Sequence, residues 1–204
     1  MSDNVQRKRS YAAPVLFVIM VVLVTMIIMA YSKYLLTRQT HTTDQGQQLS
    51  EQYKYALIFA NRLHEGSEGF LNARNEAEKL RAARMLGEAS IASTESLELF
   101  AEAELLSNGK SDDDNREALT AAMNAVIGPD SLMASIGEHE GPLTDEEKAT
   151  LTVVRDGAER MRQSLSRFRP PSGEAGYRQM MTIGEWIPSA NQAGVELKAL
   201  SAQL

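Results

Sequence analysis

The chain contains no cysteine. That excludes disulfides, thiolate metal sites, a cysteine nucleophile and attachment through a lipidated cysteine. A body outside the cell without disulfides fits a bacterial surface better than a small stapled animal ectodomain. Histidine is scarce and scattered, at His41, His64 and His139. The stretch "HEGSE" lacks the second histidine of an H-E-x-x-H site, and its glycines oppose the helix that motif needs. There is no G-x-S-x-G elbow and no glycine-rich phosphate loop. The run Asp112-Asp113-Asp114 fails as a calcium loop, because its sixth position is Glu117 and its twelfth Met123. These absences set the expectation of a protein without catalysis, metal or cofactor. Strand signals are missing too, since Val and Ile cluster only near the start and no turn pair separates alternating runs.

What the chain has is one long apolar run. From Ser10 to Ser32, 23 consecutive residues carry no Asp, Glu, Lys, Arg or His. As a helix rising about 1.5 Å per residue, the run spans a hydrocarbon core of about 30 Å. A cleaved secretory signal has a shorter apolar region and small residues at its far end. Here that end is Ile27-Ile28-Met29-Ala30-Tyr31-Ser32, so the reading is a retained anchor over 11–36, with the lipid bilayer as its partner. Arg7, Lys8 and Arg9 flank one end and Lys33 and Arg38 the other. The basic excess favours a short cytoplasmic tail, 1–10, with the C-terminal domain extracytoplasmic at a cell membrane.

Beyond residue 36 stand 26 Asp and Glu against 17 Lys and Arg. Such an acidic body lacks the clustered cations that nucleic acid requires. Its patterning is helical. Leu49, Tyr53, Ala56, Ala60 and Leu63 recur at spacings of three and four, as do Leu151, Val154, Ala158, Met161, Leu165 and Phe168. The expected fold class is all-α: a single transmembrane helix followed by an antiparallel bundle of about four helices. The segment 37–48 is a stalk or a helix continuation, 49–170 the bundle, and 171–204 a C-terminal segment packing on it. "HEGSEG" predicts a break or kink in the first outer helix, and a second helix is expected from about Leu71 to Leu106, with Asn108-Gly109 after it read as a helix C-cap. Asp114-Asn115-Arg116-Glu117 and Thr144-Asp145-Glu146-Glu147 read as capping boxes. Gly128-Pro129 predicts a break, with Asp130 capping the continued helix, and Pro188 predicts a stop.

Two features point to partners. Arg155, Arg162 and Arg169 repeat at seven residues, a basic strip for an anionic partner unless glutamates such as Glu88, Glu95 and Glu102 occupy it. Met180, Met181 and Trp186 concentrate apolar surface near the C-terminus, a binding patch if exposed and core if buried. His139, between Glu138 and Glu140, is expected to be solvated. The function expected is protein–protein interaction or assembly by a single-pass membrane protein, with a protein partner at the membrane or a second copy as a homodimer.

In layout, an anchor followed by capped outer helices resembles the periplasmic bundles of chemoreceptors. It is also similar to the start of membrane-anchored spore-germination accessory proteins. The alternative this resemblance implies is a ligand-sensing or regulatory subunit that signals through a membrane partner's helix.

Overall fold

A computed structural model describes residues 12–109, 112–137, 139 and 141–204. The tail 1–10, Glu138 and Glu140 lie outside these residues. All regular structure among the described residues is helical: α1 (Ala12–Asn72), α2 (Glu76–Asn108), α3 (Asp112–Ile127), a 3-10 turn (Leu132–Ser135), α4 (Asp145–Leu165), α5 (Glu174–Ile183) and α6 (Ile187–Ser201). The all-α reading holds. The chain divides into two compact units, Met1–Thr42 and Thr43–Leu204.

The first unit contains the apolar part of α1. From Val15 to Leu36 its large apolar side chains are all exposed, at 40–67%. Within this stretch the Thr25 hydroxyl donates to the Val21 carbonyl at 2.8 Å, so even its one threonine is satisfied inside the helix. The segment 37–48 is helical throughout.

The second unit is a bundle whose core takes residues from every helix. The predicted faces of α1 and α4 are buried: Leu49, Tyr53, Ala56, Ala60 and Leu63 on one, Leu151, Val154, Ala158, Met161 and Leu165 on the other. The expected break at His64–Gly69 does not occur, and α1 runs on to Asn72. Its glycines serve close packing instead. A β-carbon on Gly66 would come within 2.7 Å of the Leu86 side chain, and one on Gly69 within 3.1 Å of Ala82. Removing those β-carbons lets α1 and α2 approach, which offsets the propensity lost in the helix.

Two predicted stops hold and two caps differ. Asn108-Gly109 closes α2 with Gly109 in the left-handed region (φ 61°), its N–H donating to the Leu105 carbonyl. The Gly128-Pro129 break ends α3, but a 3-10 turn opening at Ser131 follows, without a side-chain cap from Asp130. Asp114–Glu117 lie inside α3 rather than before it, because the helix already runs from Asp112. Pro188 opens α6 in its first turn, where a missing N–H costs nothing, and Gly184 (φ 71°) supplies the stop. The Thr144 capping box forms as expected.

The last helix is central. α6 packs on α4, α2 and α3, with Ala190, Ala193, Leu197 and Leu200 fully buried. Small residues permit this crossing: Gly194 lies against Phe100 and Leu119, and Gly157 faces Leu200. Among the described residues the bundle thus holds the four helices expected within 49–170, namely the outer part of α1 with α2, α3 and α4, and α5 and α6 of the C-terminal segment join the same core.

Candidate partner-binding site

The turn after α4 and the short helix α5 form a groove. The chain leaves α4 at Leu165, and Arg169-Pro170-Pro171 cannot continue a helix. Pro171 is fixed from two sides. Its carbonyl accepts from the Ser50 hydroxyl at 2.9 Å, and Gly176 approaches so closely that a β-carbon there would lie 2.6 Å from the proline ring. The Tyr53 hydroxyl donates to the Leu165 carbonyl at 2.8 Å, and its ring meets Phe168 edge-on at 5.0 Å. Burial pushes the Tyr53 phenol well above its ordinary pKa, so it stays a neutral donor.

The resulting cleft, about 150 Å³, is lined by Phe168, Pro171, Met180 and Ile183, with Arg169, Gln179 and Glu185 at its edge. The lining thus combines apolar side chains with one cation, one anion and one amide. Among the described residues, Arg169 and Glu185 each make no ion pair or hydrogen bond.

The expected site residues divide. Met180 and Arg169 come together in this groove. Trp186, at 2% exposed, is interior, and Met180 is likewise buried apart from the groove it lines. Met181 is half-buried and lines a different groove with Gln45, Gln48 and Gln52. Arg155 and Arg162 do not join Arg169. They pair on their own helix with Asp156 at 2.7 Å and Glu159 at 2.6 Å, and Arg169 lies past the helix end, where heptad spacing no longer sets position. Glu88 is taken by Arg62 of α1 at 2.8 Å and by Arg84 at 3.3 Å. Phe168 and Ile183 were not expected in a site. The one sequence signal for them is an aromatic residue just before a Pro-Pro corner.

His139 is not merely solvated. Its Nε2 lies 2.8 Å from Glu147 Oε2, the carboxylate that also accepts from the Thr144 N–H at 2.7 Å and, through Oε1, from the Gly137 N–H at 2.9 Å. The Gly137 N–H first, then His139 and Thr144, hold the Glu147 carboxyl down at about 2. One glutamate of the first turn of α4 therefore holds Gly137, His139 and Thr144 together. His64 of α1 has Glu159 of α4 at 3.6 Å and Glu68 of its own helix at 4.0 Å. Among the described residues no group of three or more His, Cys, Asp or Glu is placed to hold a metal. No protein-family model, no curated protein and no solved structure matches the chain.

Proposed function

We propose that this protein is a single-pass, membrane-tethered helical module whose extracytoplasmic bundle docks protein partners and performs no catalysis. The observation that carries the reading is the apolar stretch Val15–Leu36, exposed along its whole length. A core helix is covered by its own chain, whereas none of the most apolar 18-residue window is buried. Hydrocarbon is the medium that satisfies such a surface. The bundle beyond it carries a net negative charge and the α4–α5 groove, whose dimensions fit one apolar side chain of a partner.

The test is protease treatment of intact cells carrying a C-terminal epitope tag. The reading expects a full-length band that external protease removes. A full-length band protected until the cells are opened places the bundle inside and overturns the topology. A band already shortened before protease means the apolar stretch is a cleaved signal. For docking, Ile183→Asp is expected to leave the fold intact and to reduce recovery of surface partners cross-linked to the tagged chain. Unchanged recovery removes the groove from the proposal.

A further inference from the structure

The outer surface of the α1–α2 pair has a pattern that neither helix explains alone. The two helices run antiparallel, with Arg62 beside Glu88 at 2.8 Å and Gly66 against Leu86 and Ala82. Residues at the same height therefore have numbers adding to about 150. Along α1 the exposed outer face presents Lys54, Ile58 and Glu65, spaced four and seven apart. Along α2 it presents Glu95, Ile91 and Arg84, spaced four and seven in the opposite direction. Each level thus offers a matched couple: Lys54 with Glu95, Ile58 with Ile91, Glu65 with Arg84.

Ile91 is 73% exposed and Ile58 42%. Among the described residues, Lys54 and Glu95 form no ion pair. Arg84 and Glu65 hold only partners on their own helices, Glu88 and Arg62. So the couples stand level with one another but are not made within one chain.

We propose that this face is a homodimer interface, occupied by the same face of a second copy. A twofold axis parallel to the helices keeps every residue at its own height and sets α1 of one copy opposite α2 of the other. Ile58 then meets Ile91 of the second copy at the centre, Lys54 meets Glu95 on one side, and Glu65 meets Arg84 on the other, each twice. Below them Glu51 faces Glu98, whose carboxylate is already held by Arg116. This axis also leaves the Thr43 ends of both bundles pointing the same way, as two chains in one bilayer require. An isoleucine couple flanked by exposed ion pairs makes a weak interface in free solution, and confinement to one membrane supplies the effective concentration it needs. Only these last two points rest on the proposed tether.

The chain has no native cysteine, so disulfide trapping in the intact protein has no background. Membranes from cells co-expressing two differently tagged chains, one Ile58→Cys and one Ile91→Cys, are oxidised and resolved without reductant. The expected result is a mixed-tag disulfide dimer, with far less product from either variant alone and none from Ala149→Cys on exposed α4. Glu95→Lys in both chains is expected to lower the mixed product about fivefold, and adding Lys54→Glu to restore it. No mixed dimer, equal trapping at Ala149, or loss on Glu95→Lys without rescue each overturns the proposal. Recovery of the chain in the soluble fraction is read separately and tests the anchor, so failure of the tether is distinguishable from failure of the interface.

Discussion

The Tyr53 hydroxyl, in the C-terminal half of α1, donates to the carbonyl of Leu165, the last residue of α4. Carbonyls at a helix end lack intrahelical partners, and here a tyrosine 112 residues away in sequence supplies one. Tyr53→Phe removes that donor while keeping the ring against Phe168. Since the Leu165 carbonyl also accepts from the Phe168 N–H at 3.2 Å, the expected loss is modest, about 1 kcal/mol. Urea unfolding followed by the fluorescence of the single, buried Trp186 measures it.

Two glycines in helices are expected to respond to alanine with opposite signs. A β-carbon on Gly46 would sit 2.1 Å from the Tyr177 carbonyl oxygen, a backbone atom that cannot rotate away. Gly46→Ala should destabilise by about 1–3 kcal/mol or more and speed hydrogen exchange in α5. Gly87 on α2 faces open space, so Gly87→Ala should stabilise by about 0.5–1 kcal/mol. Thermal midpoints of the pair read both signs at once.

Glu147 makes stability depend on acid. Its folded pKa of about 2 lies below the ordinary 4.5, so its contribution is fully present above about 4.5 and is lost as pH falls toward about 2. The difference in unfolding midpoint between the native chain and Glu147→Gln should shrink as pH falls from about 4.5 toward about 2. Thr144→Ala, which removes the other half of the capping box, should cost about 0.5–2 kcal/mol with little pH dependence above about 4.5.

Ion pairs should matter according to what they join. Lys198 of α6 meets Glu104 of α2 at 2.6 Å with both side chains largely covered, whereas Arg155 meets the adjacent, exposed Asp156. A double-mutant cycle on Lys198 and Glu104 should give about 1 kcal/mol of coupling, and one on Arg155 and Asp156 nothing measurable.

Much of the fold was legible because local rules set it. The three-and-four spacing of Leu49 to Leu63 and of Leu151 to Leu165 marks faces that must be covered. Thr144 and Glu147 cap one another within four residues. Where the rules failed, a distant contact had overridden a local preference. Gly66 and Gly69 read as breakers, yet α2 lies where their missing β-carbons leave room. Trp186 and Met180 read as either patch or core, and only the position of α6 among α2, α3 and α4 decides for the core.

The sequence by itself determined that the chain is helical and that one stretch is long and apolar enough to cross a membrane, because both follow from composition and periodicity along the chain. It also placed the Thr144 and Gly109 caps, whose donors and acceptors are close neighbours. Tertiary structure alone decided which charges pair between helices, since Glu88 of α2 found Arg62 of α1 and Lys198 of α6 found Glu104 of α2. It alone brought Arg169, Met180 and Ile183 to one groove. Those placements depend on the distance between helix axes and the angle at which they cross, quantities that arise only when side chains far apart in sequence pack against one another.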